Sequence, residues 1–440
     1  MAAVLPARAV AVAVAEDDES ALSPRRLLAW GGFTAVLLVA PLIFGSNAAL
    51  SYLSTLGTVM IFCLSYNMLL GQGGMLSFGH AVYSGLGAYF AIHTMLWATR
   101  GSFPIPLPLI PLVGGFAGMA FGILFGYVTT KKGGTVFSMI TMGIGELVHA
   151  FADMFPGFFG GDIGVSANRS YGTPFLGLTF GPQLQVYSLV AVWVMLCTIA
   201  MYAVAQTPLG RISNAVRDNP ERTEFIGFDT RRVRYLVLIF STFFAGISGG
   251  LSAINFEIVS TESVGIMRSG DALLYTFIGG IGSFAGPIVG AVIGTFLTIK
   301  LSDFTMAWQL YLGAIFILFV IFAPAGLTGI IEANWRVMRS GLFGRVLPRW
   351  LAVLAAMTVM TVGTVILVEL CYALVFGSQK AAAAQFQASL TTGTLAALWS
   401  AGVVLLLAGG LWLWKGRQAF REEWDRINAE IVAARPKDDR

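Results

Sequence analysis

The stretch TPLGRISNAVRDNPERTEFIGFDTRRVR, residues 207–234, is the longest strongly charged run between two apolar spans, in a chain of which only 11% is charged. Thr207 followed by Pro208 reads as a helix N-cap and first helical residue. Leu209, Ile212 and Ala215 or Val216 then fall at helical spacing on one side, with Arg211 and Arg217 on the other. Asn219 followed by Pro220 ends that helix and caps a second, with Glu221 in its first turn near the positive dipole end. Gly227 is placed to stop it. The spacing predicts two short amphipathic helices meeting at Asn219-Pro220 between membrane spans. On pattern alone two readings stay open: an elbow aimed at a partner outside the lipid, or a basic linker lying on the headgroups.

Working outward, the composition excludes a soluble protein. The 440 residues are 56% hydrophobic with only 23 acidic side chains, and the mean hydropathy is +0.77, which marks an all-α polytopic membrane protein with membrane lipid as its surroundings. A net charge of +4 points to no nucleic-acid partner, because much of the Arg and Lys flanks apolar spans, where it sets orientation. Cys63, Cys197 and Cys371 stand alone in apolar runs and read as small buried residues. Residues 1–24 read as a disordered cytoplasmic leader.

A helix needs about 20 apolar residues to cross the hydrocarbon, which predicts spans near 27–45, 48–70, 81–99, 106–130, 134–155, 185–206 and 235–256. With the N-terminus inside, Lys131, Lys132 and the loop 207–234 fall in the cytoplasm, as the positive-inside rule asks. The middle of the next apolar stretch reads IGGIGSFAGPIVGA, residues 278–291, and its glycines break the run. A half-helix that enters, turns there and leaves through a second half-helix keeps the later arginines inside. One core span, 308–330, follows. An appended hairpin is expected near 350–376 and 393–415, then a charged tail. The expected division is leader 1–24, transmembrane domain 25–335, basic linker and hairpin 336–415, and cytoplasmic tail 416–440. A second glycine-rich break lies at GQGGMLSFGHAVYSGLGAY, residues 71–89. Two such breaks point to an inverted repeat with a pathway between the halves, or else to glycines that let helices pack closely.

Four motifs in order resemble the permease subunits of branched-chain amino-acid ABC importers, of the M-type, a family with urea and short-amide relatives. The similarity runs over about residues 50–330. LSYNMLLGQGGMLSFGHAVYSGLGAY places Asn67, Gly71, Gly74, Ser77, Gly79, His80 and Ala81 at the family's positions. MGIGELVHAF and GFFGGDIGV place Glu146, Gly160, Gly161 and Gly164, although Asp162 falls one place early and Ile163 holds the usual Asp position. In the loop, Gly210, Arg211, Ala215, Arg217, Asn219 and Gly227 are in register, while Arg222 and Thr223 replace residues that are often Ala. The fourth is IGGIGSFAGPIVGA. The resemblance implies an ABC permease of about ten core segments, including glycine-broken or re-entrant helices. It also implies docking of loop 207–234, Glu221 included, on an ATPase subunit. The expected partners are a homologous second permease, two ATP-binding-cassette ATPases and a periplasmic substrate-binding protein, in the bacterial inner membrane with both termini cytoplasmic.

No Lys is followed by Ser or Thr, so a P-loop is excluded. The chain is read as a non-catalytic subunit that binds no cofactor, with ATP and Mg held by the partner subunits. Three histidines in different settings argue against a metal site. Glu146, His149 and Asp153 share one face of the fifth span. The candidate pathway residues are Asn67, Gln72, Ser77, His80, Tyr83 and Glu146, with His80 also placed to bond exposed carbonyls at the break. Asp162, Glu257 and Glu262 are candidate contacts for a binding protein. The rival reading is a self-sufficient ion-coupled transporter with Glu146 as its ion site.

Overall fold

Apolar runs of about twenty residues become helices of that length, because in lipid the backbone must satisfy its own hydrogen bonds. In the computed structural model, which describes residues 24–101, 105–171, 177–376 and 392–433, these are α1 (Pro24–Ile43), α2 (Asn47–Asn67, continued by a π turn Met68–Gln72) and α3 (His80–Thr99). They continue with α4 (Ile110–Thr129), α5 (Thr135–Met154) and α6 (Gln183–Gln206). Most of the expected leader and the end of the expected tail lie outside the described residues. Next come the short α7 (Pro208–Asp218) and α8 (Pro220–Phe225), then α9 (Thr230–Phe256), α10 (Ile266–Gly279) and α11 (Gly286–Phe304). The last four are α12 (Trp308–Phe322), α13 (Gly326–Arg339), α14 (Phe343–Phe376) and α15 (Thr392–Ala433). One two-residue antiparallel bridge, β1 (Val165–Ser166) with β2 (Ile258–Val259), ties two loops together.

The chain divides into two compact units: residues through Leu297 with Phe316–Gly329, and Thr298–Ile315 with everything from Ile330. In the first, α3 and α9 form the centre. Fourteen of the twenty residues of α3 are buried, whereas α1 turns Leu28, Val36, Leu38 and Leu42 outward. Small residues let α3, α4 and α9 meet backbone to backbone. A Cβ on Gly87 would lie 2.7 Å from the Gly246 Cα and 2.8 Å from the Gly114 carbonyl oxygen, and one on Gly249 would collide with the Ser84 carbonyl. Lipid offers helices no hydrophobic drive to associate, so such close approach is what holds them.

The second glycine break forms a helical hairpin. Gly279 meets the Gly286 carbonyl and Gly290 the Tyr275 carbonyl, so α10 and α11 run antiparallel. Gly280, at φ +113°, makes the turn. The expected single span 308–330 is instead broken between α12 and α13 at residues 323–325. Pro324 cannot donate the helical hydrogen bond, and Gly326, at φ +65°, abuts the Gly280 backbone. Thr328 Oγ1 donates to the Gly279 carbonyl at 2.8 Å, and Ser283 Oγ donates to Thr328 Oγ1 at 3.0 Å. Ser283 Oγ also accepts from the Gly286 amide at 3.0 Å. Each helix end at the break thereby gains a side-chain partner.

In the second unit α14 and α15 form an antiparallel hairpin, with Gly363 close to the Leu406 amide and Gly409 to the Met360 amide. The helix does not stop at Lys415 but runs to Ala433. Its charged end is held by Arg349 to Glu423 and by Arg345 to Glu430 at 3.3 Å, beside a cluster of Val337, Val346 and Ile427. Glu369, inside α14, accepts from Thr305 Oγ1 at 2.6 Å and from the Tyr311 hydroxyl at 3.1 Å. Cys63 and Cys197 are buried as expected, but Cys371 is exposed.

Candidate functional site

The charged loop folds as its caps dictate. Thr207 Oγ1 accepts from the Gly210 amide, Asn219 Oδ1 from the Arg222 amide at 2.9 Å, and Asp229 Oδ1 from the Arg231 and Arg232 amides. Gly210 must be small because α7 leaves α6 so sharply that a Cβ would lie 2.8 Å from the Ala205 Cα. Gly227, at φ +98°, ends α8 with open space around it. Thr230 Oγ1 donates to Glu224 at 2.6 Å, closing the elbow. Val216 of α7, with Leu209 and Ile212, packs on Leu69, Met75, Phe137, Val233 and Leu238. Arg211, Ala215, Glu221 and Arg222 stay exposed.

Arg217 is exposed like Arg211 and pairs with Asp218 at 3.2 Å, but it also reaches inward. Its Nη1 donates to the Gly71 carbonyl, and its Cγ would lie 2.7 Å from a Cβ on Gly74. The elbow is thus joined directly to the first glycine break. Its most exposed large apolar side chains are Phe225 and Ile226, at 90% and 76%. Residue pattern passed over both, though two apolar residues just before a helix-ending glycine were a readable signal.

The first break is irregular backbone at membrane depth, and several neighbours supply it with partners. Tyr66 donates to the Ser77 carbonyl at 2.9 Å and Ser138 to the Leu76 carbonyl at 2.7 Å. The Phe78 amide finds Thr141 Oγ1 at 3.3 Å, and the Ala81 amide finds Ser269 Oγ at 2.8 Å. The Ser77 and Leu76 carbonyls are therefore taken. His80 Nε2 lies instead 3.0 Å from Ser65 Oγ, whose own proton goes to the Phe62 carbonyl at 2.7 Å. Nε2 must then be the donor, which leaves Nδ1 bare. The ring is fully buried and stacks 5.4 Å from Phe62, with Tyr66 and Tyr83 edge-on at 5.3 and 6.0 Å. Among the described residues His80 Nδ1, Asn67 Oδ1 and Ser77 Oγ are buried without a hydrogen-bond partner. The two breaks touch: a Cβ on Gly71 would lie 2.8 Å from the Ile281 carbonyl oxygen.

At the opposite end of the first unit, Arg169 is the hub. Its guanidinium donates to the carbonyls of Phe180 at 3.0 Å, Asn255 at 3.1 Å, and Ile254 and Gly181 at 3.3 Å, and to Gln183 Oε1 at 2.9 Å. Two of those carbonyls belong to the negative end of α9. Glu257, in the left-handed region at φ +57°, accepts from the Arg169 amide at 2.8 Å. Glu262 is exposed. The side chain of Asp162 lies outside what is described.

With both breaks and the elbow placed, sequence comparison decides the family. The model of the family described as "Branched-chain amino acid transport system / permease component" matches residues 48–324. The chain belongs to this family. The permease is also similar to the high-affinity branched-chain amino acid transport system permease protein LivM of Escherichia coli (strain K12). The two are 27% identical over 290 residues, covering 61% of this chain and 67% of the relative. The LivM of Salmonella typhimurium matches equally, at 27% over 290 residues. The ribose import permease protein RbsC of Haemophilus influenzae is 26% identical over 145 residues, 30% of this chain and 44% of the relative. No solved structure matches.

Within the permease, Asn67, Ser77, His80 and Tyr83 come together at the first break, with Gln72 half-buried beside it. Glu146 does not join them; it is exposed on α5. On the same helix His149 Nδ1 and Asp153 Oδ2 are 3.6 Å apart. Sequence pattern also passed over Arg268 on α10, whose guanidinium carbon lies 5.6 Å from the Phe62 ring centroid.

Proposed function

We propose that this chain is a permease subunit of a binding-protein-dependent ABC importer for branched-chain or related amino acids, or for small amides such as urea. The observation that carries the reading is the elbow α7–α8, apolar at its tip and joined through Arg217 to the Gly71 carbonyl. A short, capped, two-helix unit without a slack linker is a lever, and its inner end already grips the break at the candidate pathway. Phe225 and Ile226 enter a groove on an ATPase subunit, and closure of two such ATPases around ATP and Mg moves the elbow. Glu146, on an exposed face, looks toward a homologous second permease across the pathway. A periplasmic binding protein meets the end that carries Glu262, Glu257 and Asp162.

Charge supports the orientation in this reading. Lys131 and Arg231 both lie over the Tyr127 ring, at 5.1 and 5.4 Å, beside the elbow, and the positive-inside rule favours a cytoplasmic placement of that end. The reading takes the membrane as a bacterial inner membrane with both chain termini on the same side. The experiment is reconstitution of the chain with the ATPases, second permease and binding protein encoded beside it. Uptake of leucine that requires ATP, and that falls at least tenfold in Phe225→Asp without loss of membrane insertion, is expected. Accumulation of solute by the isolated chain under an ion gradient would refute the reading. Uptake of urea but not leucine would move the substrate to the amides.

A further inference from the structure

Arg268 and Asp271 stand one turn apart on α10 and are its only charges. Their depth follows from Phe62, against whose ring Arg268 lies at 5.6 Å. Phe62 belongs to the 26-residue span Asn47–Gln72, with roughly 15 Å of helix between it and Gln72 and roughly 22 Å between it and Asn47. Both charges therefore belong near the middle of the bilayer. Ser269, between them, is fixed at that level by the Ala81 amide at the start of α3. Arg268 is half-buried and Asp271 exposed, and among the described residues no ion pair joins either to anything within 4.0 Å.

Ionisable side chains at this depth face a watered cavity, a partner or a ligand. A pair of opposite charges one turn apart would ordinarily close on itself. Here the guanidinium is held over the face of Phe62, a favourable seat for a cation, and the carboxylate is left outward. The result is a positive group with a planar donor fork and, one turn further, a negative group, with an aromatic wall beside them. His149, Asp153 and Glu262 are the other titratable groups toward the start of α10, the His149 ring lying 3.6 Å from where a Gly265 Cβ would be.

We propose that Arg268 and Asp271 form a mid-membrane station for the zwitterionic backbone of an α-amino acid. The guanidinium takes the α-carboxylate through two parallel N–H donors, and the Asp271 carboxylate takes the α-ammonium. Side chains one turn apart on a helix have Cβ atoms about 5–6 Å apart, which suits the two charged ends of one amino acid. Because both groups read the part shared by all α-amino acids, the station distinguishes them from urea and neutral amides, not from one another. The far end of α10 is the second break, whose Ile281 carbonyl meets Gly71, the residue that Arg217 of the elbow holds. The station and the lever thus sit at two ends of one continuous set of contacts.

This inference rests on the proposed importer reading, and the test separates the two. The complete transporter is reconstituted in proteoliposomes and supplied with ATP, binding protein and radiolabelled leucine. Import by the wild-type complex establishes the reading, and its absence removes reading and station together. Given import, Arg268→Gln and Asp271→Asn are each expected to cut leucine uptake at least tenfold, with Arg268→Lys retaining more than Arg268→Gln. ATP hydrolysis stimulated by loaded binding protein should stay within twofold of wild type, and the second permease should still co-purify. Uptake within twofold of wild type in both Arg268→Gln and Asp271→Asn overturns the station. Loss of the second permease from both variants also overturns it, by making the pair a strut between subunits. If Arg268→Gln alone fails to assemble, Asp271→Asn decides by the same thresholds.

Discussion

At the scale of single residues the permease depends on side chains that finish backbone hydrogen bonding where helices stop. Arg169 is the strongest case, since its side chain is only 10% exposed and serves four carbonyls and a Gln. Arg169→Ala leaves these acceptors unpaired and should destabilise the protein by about 3–5 kcal/mol. A thermal melt of the purified chain should show it as a large drop, with Arg169→Lys recovering only part because an ammonium lacks the planar fork. An unchanged melt would show that water replaces the arginine. Such partnerships are poorly legible in sequence. The caps at Thr207, Asn219 and Asp229 were readable because cap and amide are two or three residues apart. Arg169 and its acceptors on α9 are over eighty residues apart, and His80 finds Ser65 only because the break folds α3 back along α2. Arg268 and Asp271 carried a local signal, opposite charges one turn apart in an apolar run, that the neighbouring glycines obscured.

At the scale of elements, hydropathy located the helices but not their places. α3 is the least apolar of the expected spans for a physical reason: it is surrounded by protein, so it carries His80, Ser84, Tyr89 and Thr94 where a lipid-facing helix would carry Leu. It is accordingly not among the eight helices that qualify by length and hydropathy among the described residues. Glycine, not hydropathy, marks the centre. A Cβ on Gly246 would lie 2.9 Å from the Gly114 carbonyl carbon and 3.0 Å from the Gly115 Cα, so Gly246→Ala must push α9 off α4. A cost of about 1–3 kcal/mol is expected, read as earlier loss of the monodisperse peak on heating. Gly143→Ala, with nothing within 4 Å, is the matched control and should leave the peak unmoved. Equal behaviour of the two variants would mean that the α4–α9 seam yields freely. In the elbow, Asn219→Ala removes the cap of α8 and should lower stability by about 1 kcal/mol, while ATP-driven uptake falls further than the melt does. The break between α12 and α13 was missed as an element boundary although Pro324 and Gly326 announce one, because the apolar run continues through it.

At the scale of the whole molecule, the family match ends at residue 324, close to Gly329, where the first compact unit ends. Both breaks, the elbow, the Arg169 hub and the α3–α4–α9 seam all belong to that unit, and their hydrogen bonds and glycine contacts close within it. The hairpin α14–α15 closes on itself through Gly363 and Gly409 and at its charged end through Arg345 and Arg349. Two regions that each satisfy their own backbone and polar groups should be separable. A chain ending at Arg339 is therefore expected to insert, to co-purify with the ATPases and second permease, and to retain at least half of the wild-type leucine uptake. Its internal losses include Glu369, which leaves Thr305 and Tyr311 without their carboxylate, and the packing of Val337 on Val346 and Ile427. Both hydroxyls can turn back to local carbonyls or interfacial water, so the expected penalty is about 1–2 kcal/mol in the melt. If the shortened chain inserts but no longer binds its partners, the hairpin is part of the assembly surface. The division at Gly329 would then be one of folding and not of function.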